Sequence, residues 1–375
     1  MISISVYVGV TIFTLLAGVL CKFDIRYGNS RKISGRQIYL FVMFFVLTFI
    51  MAFRSVNVGV DTAPYSRIFG IIHHASSFRE AIELAPLSAP IYVGICRILG
   101  LFSAEPQILI IFTALFINIG LFVFINRVSS NVVISTFCWI GLTLFYCSMN
   151  GSRQSMALVI TLNALVYFAR DLKSKKGWIL MLIAIGIHST CLIIAVAILG
   201  IILTDKIHES RLVLIITVII SALISIVFKG IVRVLLQFFP HYSMYGFGGA
   251  QYSIFESNGG GRIVILYIFL LAICVLWTII NKKQNESDSF HSKMLPAVVF
   301  GAVFGIFNCR NELINRALWF YIGIFITFIP AVIEKCKGLV KWIIDIIIIS
   351  VLAAYSLLSL LENQNGVIPY ALFWQ

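Results

Sequence analysis

Long runs of apolar residues with few or no charges constrain this chain more than any other feature of its sequence. A helix that crosses the hydrocarbon core of a bilayer needs about 20 mostly apolar residues. Eleven runs approach or exceed that length: residues 2–20, 38–53, 108–125, 131–149, 155–169, 178–203, 212–228, 263–280, 294–309, 317–333 and 342–361. A weaker run, residues 89–102, contains Arg97 and either crosses or re-enters the membrane. The runs are too long, and alternate too little, for β-barrel strands.

The composition indicates the same class of protein. Hydrophobic residues make up 60% of the chain and charged residues 11%, whereas soluble domains are about one quarter charged. We therefore predict an all-α, polytopic transmembrane bundle of about 12 helices (11–13), forming a single integral membrane domain over residues 1–375 in contact with lipid. The net charge of +13 does not indicate nucleic-acid binding, because the basic residues stand in short runs beside apolar segments.

The basic loops predict how the bundle is oriented. Residues 21–37 hold five basic side chains against one acidic one, so the positive-inside rule places this loop in the cytoplasm. Residues 54–88 and 240–262 are then predicted extracytoplasmic loops. The basic loop at residues 170–177 conflicts with twelve simple crossings, which place it outside. A re-entrant 89–102 segment removes the conflict but requires a second irregularity between residues 204 and 262, for which a half-inserted 231–239 is a candidate.

The loop after the second apolar run holds the first candidate site residues, Arg54 and Asp61. Gly59 permits an unusual turn there. Asp61 and Thr62 have two interpretations: they cap the following helix, or Asp61 accepts a proton from a sugar hydroxyl. Tyr65, one helical turn later, either stacks on a sugar or packs in the protein.

Two further candidates follow in the chain. Arg153, between Asn150 and Gln154, is either an interfacial anchor or a guanidinium that binds phosphate, with the two carboxamides as neutral donors. His188 falls near the middle of an apolar run, where a histidine either makes an interhelical hydrogen bond or transfers a proton.

The segment from residue 309 to 316 holds the last candidates. Arg310 and Arg316 either pair with Glu312 as a structural clasp or add positive charge to an anion site. The eight cysteines form no CxxC pair and are expected to be buried apolar residues. No metal-nucleotide motif, P-loop or GxGxxG occurs, which disfavours an enzyme that uses a nucleotide sugar. We predict no cofactor and no metal, because the arginines could hold an anion.

Taken together, these short motifs resemble the EpsG-like family of Wzy-type polymerases, which build bacterial O-antigen, capsule and exopolysaccharide. The resemblance spans most of the chain but is concentrated in residues 54–190. Its elements are Arg54, then Gly59-Val60-Asp61-Thr62 with Tyr65, then Asn150-x-x-Arg153-Gln154, then His188-Ser189.

The resemblance implies a glycosyltransferase of the bacterial cytoplasmic (inner) membrane that joins oligosaccharide repeat units linked through diphosphate to undecaprenol. Arg153, with Arg310 or Arg316, would stabilise the diphosphate leaving group, and Asp61 or His188 would take the acceptor's proton. Arg54, Tyr65, Asn150 and Gln154 would bind substrate. A chain-length regulator is a possible protein partner. Twelve simple crossings, however, place Arg153 on the cytoplasmic side, away from Asp61.

Two other functions fit the same composition. A membrane O-acyltransferase also uses an intramembrane histidine, but it needs an acyl-donor tunnel. A transporter or flippase of lipid-linked glycans suits a large helical bundle, although the sequence shows no matching pair of Gly/Pro-broken helices in its two halves.

Overall fold

The computed structural model describes residues 2–27, 31–85, 88–207, 209–238, 261–281 and 289–375. The described chain is helical almost throughout, apart from a small hairpin that pairs Ile25–Tyr27 with Arg31–Ile33. The helices are α1 Ile2–Leu16, α2 Gly35–Ala52, α3 Thr62–His74, α4 Phe78–Leu84, α5 Pro90–Gly100, α6 Gln107–Val128, α7 Val132–Gly141, α8 Leu144–Asn150, α9 Ser152–Phe168, α10 Lys175–Ile187, α11 Ala195–Lys206, α12 Ser210–Phe238, α13 Gly261–Asn281, α14 Ser289–Asn308, α15 Glu312–Lys335 and α16 Gly338–Leu361. Short 3₁₀ segments extend α1 (Ala17–Lys22) and precede α11 (Ser189–Ile194).

Membrane-spanning helices dominate this architecture. Within the described ranges, nine helical segments are long and apolar enough to cross a bilayer, and α7 with α8, bent by 55°, makes a tenth. Helices α9 and α10 are shorter, at 17 and 13 residues, but pack alongside them. The prediction of an all-α polytopic bundle is therefore confirmed. Seven of the eight cysteines are buried, and none is in a disulfide.

Polar contacts gather at two opposite ends of the bundle. At one end, which we call the basic end, Arg36 donates to the carbonyls of Asn126 and Ser129, each at 3.0 Å. At the same end Asn131 donates to Glu334 at 3.1 Å. Arg36 and Glu334 belong to the two basic loops, residues 21–37 and 334–341, that the positive-inside rule predicts to be cytoplasmic.

The opposite end, which we call the cavity end, collects the predicted site loops. Arg54 donates to the Met149 carbonyl at 3.0 Å, and the backbone N–H of Asp61 donates to Asn150 at 2.8 Å. From there α9 runs to the basic end, where its Tyr167 receives a hydrogen bond from Arg127 at 3.5 Å. The segment at 170–177 therefore lies at the basic end, and its conflict with the positive-inside rule disappears.

The sequence predicts one continuous span over residues 178–203, but in the structure this run is broken. Helix α10 ends at Ile187, and His188 has extended backbone (φ −156°, ψ 113°). The chain then returns through the 3₁₀ segment and α11 to the basic end, where Asp205 pairs with Lys293 at 2.9 Å. The irregularity expected between residues 204 and 262 thus lies at His188 instead. The proposed half-inserted segment is, as far as Phe238, the last part of α12.

The weak run at residues 89–102 does not span the membrane. Its helix, α5, has 11 residues, which is about half of what a crossing needs. With α3 and α4 it encloses a small apolar cluster at the cavity end, centred on Phe69, Tyr92 and Cys96. Three short helices therefore stand between the second and third spans and supply one wall of the site.

The carboxyl-terminal segment, residues 362–375, folds back onto the loop that follows α2. The backbone N–H groups of Ser55 and Gly59 donate to the carbonyls of Ala371 and Gly366, both at 2.8 Å. Gly59 has φ +94°, and a Cβ there would stand 2.5 Å from the Met149 carbonyl oxygen. The unusual turn predicted at Gly59 is confirmed, and the carboxyl-terminal segment holds it through these backbone hydrogen bonds.

Candidate functional site

A cavity of about 740 Å³ opens at the cavity end, and we call it the main cavity. Its polar lining comprises Asp61, Tyr65, Ser88, Arg153, Gln154, His188, Ser189, Thr190 and Arg316. Its apolar lining includes Ile193, Phe228 and Phe304. Six of the nine residues predicted from sequence therefore share one space, although they come from four distant parts of the chain.

Asp61 occupies the N-cap position of α3, but its side chain makes no capping hydrogen bond. Its carboxylate instead accepts a hydrogen bond from Nη1 of Arg316 at 2.6 Å. The backbone N–H of Asp61 is held by Asn150, so the carboxylate is aimed across the cavity by the turn itself. Of the two interpretations of Asp61, side-chain capping is not the one observed.

Arg316 lies one turn into α15 and binds two carboxylates. Its Nη2 donates to Glu312 at 2.8 Å, in addition to the bond to Asp61. Gln154 donates to the backbone carbonyl of Arg316 at 2.6 Å and so ties the start of α9 to α15. The predicted pairing with Glu312 is thus present for Arg316, and it coexists with exposure of the guanidinium to the cavity.

Arg153 is held by aromatic rings. Its guanidinium carbon lies 5.3 Å from the ring centre of Tyr65 and 5.1 Å from that of Tyr92, within the range of cation–π attraction. Its Nη1 also donates to the Ser88 hydroxyl at 3.0 Å. Arg153 therefore lies in the same cavity as Asp61, which removes the difficulty raised by twelve simple crossings.

His188 lies in the connection between α10 and the 3₁₀ segment, not in the middle of a helix as the sequence suggested. Its Nδ1 is 2.6 Å from the hydroxyl of Thr190. Burial, and then the positive charges of Arg153 and Arg316, lower the pKa of His188 to about 4. The imidazole is therefore neutral near pH 7 and able to accept a proton.

Three predicted site residues lie outside the main cavity. Arg54 is 1% exposed, and its guanidinium donates to the carbonyls of Val58 and Met149, at 3.4 and 3.0 Å. Asn150 is buried and holds the Asp61 backbone. Arg310 is exposed and lines a neighbouring smaller cavity. Arg54 and Asn150 therefore support the Asp61 loop through hydrogen bonds to its backbone and to Met149.

Two parts of the site escaped the sequence analysis. Tyr92 and Ser88 position Arg153, yet they belong to the weak apolar run and its flank, which carried no motif. The carboxyl-terminal segment braces the Asp61 loop, and it contains two residues with positive φ, Asn363 (φ +52°) and Gly366 (φ +64°). In the described part of the chain, no three His, Cys, Asp or Glu side chains come together as a metal site requires.

Comparisons with known proteins give one match. No curated protein and no solved structure matches the chain. The EpsG family matches residues 37–372 of the 375, a range that includes every residue of the main cavity. The chain therefore belongs to the EpsG family, which is associated with polysaccharide polymerases, and is a multi-pass membrane protein of polysaccharide biosynthesis.

Proposed function

We propose that the protein polymerises oligosaccharide repeat units linked to undecaprenyl diphosphate, by glycosyl transfer at the outer face of the bacterial cytoplasmic membrane. The observation that carries the proposal is the main cavity itself. It combines two arginines, two proton acceptors and an apolar wall at the end of the bundle opposite the basic loops.

The arginines suit a diphosphate leaving group. Guanidinium groups bind phosphate oxygens through paired N–H donors, and they stabilise charge that develops as a diphosphate departs. Arg153 and Arg316 line the same cavity. Arg153 is fixed by two tyrosines and Ser88, so its charge is presented with little freedom of movement.

The apolar wall suits the isoprenoid chain of such a substrate. Ile193, Phe228 and Phe304 line the same cavity as Asp61. Phe228 belongs to α12, whose outward residues are largely exposed apolar side chains. A diphosphate at the arginines would thus keep its lipid tail beside helices that face the bilayer. A lipid-diphosphate donor also requires no nucleotide-binding motif.

The reaction is a displacement at the anomeric carbon of the donor. The hydroxyl oxygen of the acceptor sugar forms the new bond to that carbon, while the bond from the carbon to the diphosphate oxygen breaks. The acceptor's proton passes to Asp61 or to His188, and the electron pair leaves with the diphosphate, opposed by Arg153 and Arg316.

The proposal is tested with purified protein in lipid vesicles and the lipid-linked repeat unit of its source strain. Gel electrophoresis should show a ladder of polymer that is absent when the protein is omitted. A wild-type protein that consumes no lipid-linked unit would contradict the proposal. A deletion strain adds an independent check: loss of a polymerase leaves single repeat units on the cell surface, whereas loss of a flippase leaves none.

A further inference from the structure

A second cavity, of about 220 Å³, borders the main cavity, and we call it the amide cavity. Arg316 lines both spaces, so its ion pair with Asp61 lies at their boundary. Four carboxamide side chains line the amide cavity: Asn150, Asn315, Gln364 and Asn365. They come from α8, α15 and the carboxyl-terminal segment, elements that meet only in the folded protein.

The wall of the amide cavity includes a break in a membrane span. Helices α7 and α8 are separated by Leu142 and Thr143, and both of these residues line the cavity. Thr143 has φ +64°, which is strained for a β-branched residue. Broken helices at membrane depth are tolerated where they are buried in protein or line a polar cavity, and backbone strain concentrates at functional sites.

The chemistry of the lining differs from that of the main cavity. Carboxamides both donate and accept hydrogen bonds, which matches the neighbouring hydroxyls of a sugar ring. The ring of Tyr355 and the indole of Trp319 add aromatic surface. Glu312 accepts a hydrogen bond from Arg316 at the boundary of the two cavities, so a carboxylate already balances the charge of this arginine.

The size of the amide cavity limits what it can hold. Sites for drug-sized ligands measure roughly 300–1,000 Å³, and this cavity falls below that range at about 220 Å³. It has room for about one sugar residue, not for a lipid diphosphate with its glycan.

We propose that the amide cavity binds the non-reducing terminal sugar of the acceptor glycan, and this inference rests on the proposed function. The donor diphosphate occupies the main cavity, and the acceptor sugar approaches from the other side of Arg316 and Asp61. This arrangement places the acceptor hydroxyl opposite the leaving group, as displacement at the anomeric carbon requires.

The test compares two probes on the purified full-length protein. One is the repeat-unit oligosaccharide freed of lipid and phosphate and carrying a fluorophore at its reducing end. The other is undecaprenyl diphosphate. Asn315→Leu and Gln364→Leu should each weaken oligosaccharide binding by about tenfold, as expected for the loss of one hydrogen bond to the sugar. Both variants should leave undecaprenyl diphosphate binding unchanged. Arg153→Gln should weaken undecaprenyl diphosphate binding and leave oligosaccharide binding unchanged.

Two controls separate site effects from misfolding. Gln364 is exposed, so its replacement leaves the core intact even if Asn315→Leu, which removes the acceptor of the Tyr267 hydroxyl, destabilises the fold. Asn126→Leu removes a carboxamide at the basic end, where Asn126 accepts from Arg36, and it should change neither affinity.

The assignment is overturned if wild-type protein does not bind the free oligosaccharide, or if Gln364→Leu and a folded Asn315→Leu bind it like wild type. It is also overturned if Arg153→Gln abolishes oligosaccharide binding. Because both probes report binding alone, a protein that shows the expected pattern but makes no polymer would contradict the proposed function and leave the amide cavity as a sugar site.

Discussion

Asp61 and Arg316 are separated by 255 positions in the chain and form an ion pair of 2.6 Å at the boundary of two cavities. The pair joins the loop after the second span to the beginning of α15, the most deeply buried span. It also places a proton acceptor beside a cation, which are the two groups that a displacement with an anionic leaving group needs at one point.

Removal of the Asp61 carboxylate should therefore affect catalysis more than folding. If Asp61 is the base, Asp61→Asn is expected to lower the polymerisation rate in vesicles by about 10²-fold or more, while the protein remains in the membrane. The control is Glu334→Gln, because Glu334 forms an ion pair of the same length, 2.6 Å, with Lys341 at the basic end. Near-normal activity of Asp61→Asn would transfer the role of base to His188.

Arg153→Lys keeps the charge but loses the planar guanidinium that contacts two tyrosines and Ser88. We expect shorter polymer and a lower rate, because lysine neither stacks on the rings in the same way nor offers paired donors to phosphate. Chain length on gels is the measurement.

The matched control for this change is Arg127→Lys. Arg127 also lies over a tyrosine, at 5.6 Å from the ring centre of Tyr167, but at the basic end. It should have no effect on chain length. Polymer of wild-type length from Arg153→Lys would show that the paired donors of the Arg153 guanidinium are not needed.

Gly59→Ala should destabilise the protein by about 1–3 kcal/mol, since the position has φ +94° and a Cβ would meet the Met149 carbonyl. Gly70→Ala is the control, because Gly70 lies in α3 and a Cβ there meets nothing within 4 Å. Alanine at that helical position should be neutral or slightly stabilising. Thermal unfolding of the two variants in detergent distinguishes them, and equal melting temperatures would contradict the strain argument.

The neutral state of His188 predicts a pH dependence of stability. Its pKa is about 4 in the folded protein and about 6.5 when unfolded, so the unfolded chain binds the extra proton between these values. Stability from this group is complete above pH 6.5 and declines as the pH falls toward 4. The melting temperature of wild type should fall more steeply over this range than that of His188→Asn. Parallel curves would contradict the assignment.

The orientation of the bundle predicts the accessibility of two introduced cysteines. Val60 is 52% exposed at the cavity end, and Lys173 is exposed in the basic loop after α9. In a Cys21→Ser background, Val60→Cys should react with a membrane-impermeant maleimide in intact cells. Lys173→Cys should react only after permeabilisation, and labelling of both from the same side would overturn the predicted topology.

The apolar pattern of the sequence was sufficient to predict the bundle, because each span must satisfy the bilayer by itself. The same pattern was insufficient at His188. It was also insufficient at residues 89–102, where a segment whose helix has 11 residues was counted as a span, and Arg153 was thereby placed at the wrong end. At His188, a run of apolar residues has the same composition whether it crosses once or turns back at its midpoint. The break becomes apparent only from the contact between Asp205 and Lys293.

The cluster of candidate residues was predicted better than their roles. Charged and polar groups near membrane spans are costly, so Asp61, Arg153 and Arg316 stand out in the sequence. It does not distinguish a group that faces a cavity from one that supports a loop. Arg54 is equally costly to bury, but its charge is matched by backbone carbonyls, and such partners carry no signal in sequence.

The contacts of residues 366–373 with the loop after α2 also determine the order in which the protein can mature. That loop emerges early in synthesis, whereas its brace emerges after all the described spans have inserted. The backbone N–H groups of Ser55 and Gly59 can therefore form these hydrogen bonds only after α16 has been synthesised. A chain that lacked residues 366–373 would keep its helical spans but would lose the carbonyls that accept from Ser55 and Gly59 in the Asp61 turn.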